Sequence, residues 1–428
     1  MFAIHAIPAP EPGDDSPHPW LAGVHEIDAE VCQELHGHDD FLDSLDSLVG
    51  RLRGSVHAAQ AAWVAVEADA VLGYIWARSP LREDRDAADF DLAVRGGARR
   101  RGVGTALLDA ATAALAADGR TTWLTWAFAP GRSAEGPDAI PAASGTGAVD
   151  GRHPAAAFLR RHGFSLEQVE QPSTLTVDAA TLARADDLGA TAASVAEDDY
   201  ELLGWTGRTP SELADGMADL HARMSTDVPM ATELAEPQVW DAERLRVAED
   251  RTVELGYHWV TTAARHRATG VMAAYTTLQW PGHHPDGVWQ EDTLVHADHR
   301  GHRLGLWTKA ANLRRLVADN PDAARIHTWN AAENTHMLAI NDALGFRPTG
   351  LEGTWRRRAS RPPPELSRGG RPDRPRGQWG GGRSGRGRSR VRPARAPRTG
   401  PRTGAGRPPS RHGSPGRSVG TCHPASRW

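Results

Sequence analysis

The chain has 428 residues, enough for two or three domains of ordinary size. Its two cysteines, Cys32 and Cys422, argue against a disulfide framework and a cysteine-based metal site, and no apolar run approaches the roughly 18 residues of a membrane helix. The net charge of −5 hides a division: from Arg361 onward 17 arginines face only Glu365 and Asp373, so this segment carries +15 and residues 1–360 carry −20.

Residues 1–18 are rich in proline and acids and read as a loose leader; no basic start precedes an apolar run, so no signal peptide is expected and the protein reads as cytoplasmic. Trp20 to Ile27 alternates weakly and predicts a first strand, and Ala29 to Leu52 one or two short helices. The apolar runs on either side of Asp69 and Ala70 predict a hairpin, and residues 90–94 another strand. Thr105 to Ala117 is rich in Ala and Leu and predicts a helix. A strand over Thr121 to Phe128 and a loop over Pro130 to Asp150 follow. Pro154 to His162 predicts a helix capped by Gly163, and Phe164 to Val177 one or two strands.

The order then recurs. Tyr200 to Thr206 reads as a strand, and Pro210 to Met224 and Asp241 to Leu255 as helices. Residues 257–260 and 270–279 read as a second hairpin, and Val288 to Val295 as a strand. A helix over His302 to Ala318, a strand over Arg325 to Trp329 and a helix over Asn334 to Leu344 ending at Gly345 follow, and Phe346 to Trp355 closes the unit. The segment DLAVRGGARRRGVG (91–104) aligns with DTLVHADHRGHRLG (292–305) without a gap, and HGF (162–164) with LGF (344–346). This is a repeat at the scale of a domain. Residues 359–428 alternate Arg, Gly, Pro and Ser without periodicity and are expected to be disordered.

In each repeat a strand enters a helix through a Gly/Arg loop. The free N–H groups and dipole of a helix start suit a pyrophosphate, and glycine allows close approach. The spacing is neither GxGxxG nor a Walker GK[ST], which argues against a Rossmann or P-loop domain. The loops resemble the Q/R-x-x-G-x-G/A motif of the GNAT acetyltransferases. The first fits at Arg99, Gly102 and Gly104; the second fits at Arg300 and Gly305, with Arg303 at the middle glycine and Gly301 nearby. Val94 and Val295 match strand-end positions whose backbone meets the cofactor in that family. The resemblance covers most of residues 20–180 and 195–357. It implies an α/β fold of two tandem domains, 19–180 and 195–357, each a mixed splayed sheet flanked by helices.

Further implications follow from the resemblance. The co-substrate is acetyl-CoA, and Arg300, Gly301, His302, Arg303, Leu304 and Gly305 would hold its pyrophosphate. Asn334 matches best the Asn that binds the pantetheine arm, and the family's Tyr position is occupied by Asn341. The corresponding first-repeat residues are Arg152 and Leu159, so the first domain is expected to be degenerate and the second catalytic. This arrangement resembles that of mycothiol synthase-like enzymes. The reaction is direct attack of a small-molecule amine on the acetyl thioester. Its base is expected to be Asp292, or failing that Glu291, with a backbone N–H near Val295 for the oxyanion.

Plainer readings stand beside these. Asp91 occupies the place of Asp292 in the first repeat, which favours a shared structural role as much as a chemical one. His299 and His302 read as surface residues and no metal is expected. The rival functions are a non-catalytic acyl-CoA sensor or scaffold, and nucleic-acid binding through the basic tail; the tail also fits a spurious extension. The oligomeric state, monomer or dimer, is open.

Overall fold

The structure is a computed structural model, and it describes residues 1–359 apart from 12, 14 and 228–236. The tail expected from 359 lies outside the described residues from 360 onward. The first repeat comprises β1 (Ala3–Ile7), α1 (Pro19–Leu35), α2 (Leu45–Leu52), β2 (Ala58–Glu67), β3 (Ala70–Pro80), β4 (Ala87–Val94), α3 (Val103–Ala117) and β5 (Thr122–Pro130). It continues through β6 (Ala139–Pro141), β7 (Ala148–Asp150), α4 (Pro154–Arg161) and β8 (Ser165–Thr176). Helix α5 (Ala179–Ala196) leads to β9 (Tyr200–Thr206), α6 (Ala214–Asp227), α7 (Ala242–Glu254), β10 (Tyr257–His266), β11 (Met272–Pro281) and β12 (Gly287–Val295). The chain ends its described part with α8 (Leu304–Asp319), β13 (Arg325–Ala331), α9 (Thr335–Leu344), β14 (Arg347–Pro348) and β15 (Gly350–Arg358). Among the described residues no helix is long and apolar enough to cross a membrane.

Three local expectations are corrected, and one interval is filled. The strand expected at Trp20 to Ile27 is the start of α1: Pro19 stands in its first turn, and Leu21, Val24, Ile27, Asp28 and Val31 are buried at helical spacing. The leader is not loose throughout, because Ala3 to Ile7 pairs antiparallel with Val66 to Ala62 at the edge of the sheet. The loop at 130–150 contains the β6–β7 ribbon. Helix α5 fills the interval between the predicted domains, and Asp178 caps it by accepting the Thr181 N–H at 2.7 Å.

Each half contributes a mixed sheet with helices on both faces, and the two sheets are fused. Among the described residues one sheet runs β1-β2-β3-β4-β5-β15-β8-β13-β12-β11-β10-β9, with β14 on β8. The last strand of the second half, β15, lies between β5 and β8 of the first. The long β8 pairs with β15 through its first half and with β13 through its second. Leu351 and Trp355 of β15 therefore belong to the same buried cluster as Leu107, Leu108 and Leu159 of α3 and α4. A second cluster joins α1 and α2 to the opposite face, and α8 and α6 cover the two faces of the second half in the same way.

The sheet splits twice. Strands β4 and β5 pair in parallel only through 87–89 and 122–124, although both run on. Strands β12 and β13 pair only through 287–289 and 325–327. Each split opens a wedge beside the start of α3 or α8.

Candidate active site

At the end of each split strand the backbone makes the same turn into a helix. After Val94 come a 3-10 turn, extended Arg99, left-handed Arg100 (φ 64°) and left-handed Gly102 (φ 86°), and then α3. After Val295 come a 3-10 turn, extended Arg300, left-handed Gly301 (φ 90°) and left-handed Arg303 (φ 57°), and then α8. Both loops need two left-handed residues; each places glycine at one and arginine at the other, in opposite order. The departure at Arg303 thus leaves the path of the loop intact, at roughly 1–2 kcal/mol for an L-residue in that conformation. Gly104 and Gly305 match as well. A Cβ there would stand 3.4 Å from the Phe158 ring or the Val295 methyl, so both positions lie close against the strand end or the following helix.

No side chain caps either helix. The first N–H groups of α3 and α8 consequently point outward beside the wedge, the arrangement that binds anions. The Arg99 Nε donates to the Val94 carbonyl at 3.1 Å, and the Arg300 Nε does the same to Val295 at 3.5 Å. The surroundings differ in charge. Arg95 pairs with Glu26 and Glu30, Arg99 with both oxygens of Glu34, and Arg101 with Glu67. Carboxylates of the first half thus stand where a phosphate would need these arginines. In the second loop, among the described residues, no carboxylate pairs with the exposed Arg303.

The second wedge is also bulged. The β11–β12 register runs from Ala274↔Val295 to Thr276↔Thr293 and resumes at Leu278↔Gln290, so Glu291 and Asp292 together face Thr277. Buried Tyr275 donates to Asp292 Oδ2 at 3.1 Å, and its oxygen lies 3.2 Å from His221 Nδ1. Trp240 stacks on that imidazole. Burial pushes His221 down to about 4, so it is neutral at pH 7. Burial and the charges of Asp292 and Glu291 raise the Tyr275 hydroxyl well above its usual range. Asp292 is half-buried beside a protonated phenol and a neutral imidazole.

Shifting by 201 residues maps Tyr74 onto Tyr275 and Asp91 onto Asp292. The first half uses these residues differently. Tyr74 donates to Asp28 Oδ1 of α1 at 2.5 Å. Arg51 lies 3.8 Å from Asp91 and 2.6 Å from Asp43, over the Trp76 ring. The β3–β4 register is unbroken from Gly73↔Val94 to Arg78↔Asp89, with no bulge at Asp91. Beside its acid the first half has a guanidinium where the second has a histidine.

Asn334 caps α9, its Oδ1 accepting the Met337 N–H at 3.3 Å. Asn341, at the position expected for a family tyrosine, is buried and donates to Asn330 Oδ1 at 2.6 Å. Lys309 of α8, the chain's single lysine, is 4% exposed and donates to Gln290 Oε1 at 2.8 Å. Burial lowers its ammonium to about 7. Tyr275, His221, Gln290 and Lys309 were not singled out from sequence as site residues; for Tyr275 the shared 201-residue offset of Tyr74/Asp91 and Tyr275/Asp292 was the available signal, and for the other three the offset gives none.

His38, Asp40 and His327 converge to within 4.8 Å, as do Asp40, His284 and Asp286. Arg325 already donates to both Asp40 oxygens, at 2.6 and 2.7 Å, which disfavours a cation there. This cluster instead clasps the α1–α2 loop of the first half to β13 of the second.

A family model described as an acetyltransferase (GNAT) domain matches residues 58–166. A tandem GNAT protein from the clavulanic acid biosynthesis pathway, solved without acetyl-CoA, is similar over 85% of this chain and 100% of its own, with 26% identity and a TM-score of 0.64. A GCN5-related N-acetyltransferase from Sphaerobacter thermophilus shares the fold over 83% of this chain and 95% of its own, at 12% identity and a TM-score of 0.51. The glucosamine N-acetyltransferase region of a fungal multi-domain β-N-acetylglucosaminidase does so over 83% and 38%, at 14% identity and a TM-score of 0.51. A search of curated proteins gave no match.

Proposed function

We propose that the chain is a tandem N-acetyltransferase of the GNAT superfamily and that its second half moves an acetyl group from acetyl-CoA to the amine of a small molecule. One observation carries the assignment to the second half. Strand β12 is bulged beside Asp292, whereas the equivalent strand β4 is unbroken and its acid, Asp91, lies 3.8 Å from Arg51. The family model matches the first half because that half keeps the motif residues Arg99, Gly102 and Gly104. Motif retention concerns the anion loop alone and says nothing of the acid, which in the first half lies 3.8 Å from Arg51.

On this reading the backbone from Gly301 to Gly305, with Arg300, takes the pyrophosphate, and the pantetheine arm lies in the wedge towards Asn334. The amine attacks the thioester carbon and gives its proton to Asp292, which Tyr275 orients. Glu291 is the second choice of base. A backbone N–H between the bulge and Val295 stabilises the oxyanion. Collapse breaks the C–S bond and the CoA thiolate takes a proton from water. The sensor reading lacks a reason for the Tyr275–Asp292 pair. Asp292→Asn separates the two readings: it should lower CoA release with a panel of primary amines by about a hundredfold and leave acetyl-CoA affinity unchanged. Unchanged turnover would remove Asp292 from the mechanism.

A further inference from the structure

A bulge takes backbone groups out of the ladder, and in β12 one side chain collects them. Gln290 Nε2 lies 2.8 Å from the Thr277 carbonyl, 3.2 Å from the Glu291 carbonyl and 3.0 Å from Thr276 Oγ1. These are the residues on both sides of the bulge. An amide can be turned either way, and its partners decide which end faces where. Lys309 Nζ donates to Gln290 Oε1 at 2.8 Å, and this bond turns the Nε2 end into the bulge.

Lys309 is an expensive residue to keep in this place. Among the described residues no carboxylate pairs with it, and its Nζ lies 5.6 Å from the centre of the Phe346 ring. A buried ammonium without a counter-ion costs stability that an apolar residue would not. The first half shows the apolar alternative. At the same offset, Lys309 corresponds to Leu108, Gln290 to Asp89 and Asn312 to Ala111. Leu108 and Ala111 lie in an ordinary apolar core, and β4 there has no bulge. Strut and bulge are present together in one half and absent together in the other.

We propose that Lys309 is a positioning residue: through Gln290 it sets the β12 bulge, and with it the backbone N–H and the Asp292 carboxylate that meet the acyl group. The proposal rests on the reading of the second half as the acetyl-CoA site, and its test separates the two. The full-length protein is titrated calorimetrically with acetyl-CoA and with CoA. The wild type should favour acetyl-CoA, because only the thioester oxygen reaches the bulge N–H.

Lys309→Met and Gln290→Met keep the volume and remove the polar bond. Each should lower the ratio of acetyl-CoA to CoA affinity by about tenfold, with CoA affinity held within about twofold. The double variant should lose no more than either single, as expected when two residues act as a unit. Hydrogen exchange should quicken at residues 290–293 and stay unchanged along 304–319. An unchanged ratio in both variants, or equal losses for both nucleotides, overturns the proposal. If the wild type binds neither nucleotide, the acetyl-CoA reading fails and exchange alone judges the strut; unchanged exchange at 290–293 then overturns it.

Discussion

A carboxylate can relieve an amine of its proton only if nearby groups leave it basic. Arg51, fixed between Asp43 and Asp91, holds Asp91 as a salt-bridged anion. Asp292 accepts a hydrogen bond from Tyr275 and lies 3.9 Å from His221, which burial keeps neutral. Keeping His221 neutral has a measurable cost. Its imidazole titrates near 6.5 when unfolded and near 4 when folded, so between these values the unfolded chain binds the extra proton. Stability should therefore fall as pH drops from about 6.5 to 4, by up to about 1.4 kcal/mol per unit from this residue. Urea unfolding at pH 7 and pH 5 should show a shallower loss in His221→Leu than in the wild type; equal losses would mean that His221 protonates in the folded state. Asp292 was a candidate from the sequence because it is an acid three residues before the apolar strand end at Val295. Tyr275 and His221 were not, since a tyrosine in an apolar strand and a histidine on a helix 54 positions earlier meet only through tertiary packing.

At the scale of elements, strong local chemistry was readable. The β2–β3 hairpin turns at Ala68 and Asp69, both left-handed, where two apolar runs had marked a turn. Asp241 caps α7 and left-handed Gly345 ends α9. Where signals conflicted the tertiary fold decided. Trp20 to Ile27 alternates weakly, yet the buried stripe continuing to Val31 has helical spacing. Strand β1 is too short to announce itself and exists through its pairing with β2. The bulge in β12 has no local sequence mark; it becomes intelligible only with Gln290 and Lys309 in place. The loop before α8 carries a visible strain. Arg303→Gly should stabilise the protein by about 1 kcal/mol by relieving the left-handed arginine, seen as a raised urea midpoint. A lower midpoint would show that the Arg303 side chain contributes more than its backbone costs.

The molecule as a whole is more tightly joined than two beads on a string. Trp355, from the second repeat, is 1% exposed in the core of the first, and β8 serves both sheets. The repeat order in the sequence showed that there were two units, but strand exchange is a property of pairing between residues some 190 positions apart, which no local pattern encodes. With the halves fused, the catalytic assignment becomes a question of which wedge binds. Acetyl-CoA binding by the full-length protein, compared with Gly305→Glu and Gly104→Glu, answers it most directly. A carboxylate at the start of α8 should abolish binding, and the same change at α3 should leave it intact. Binding lost in Gly104→Glu and kept in Gly305→Glu would place the working site in the first half and contradict the account.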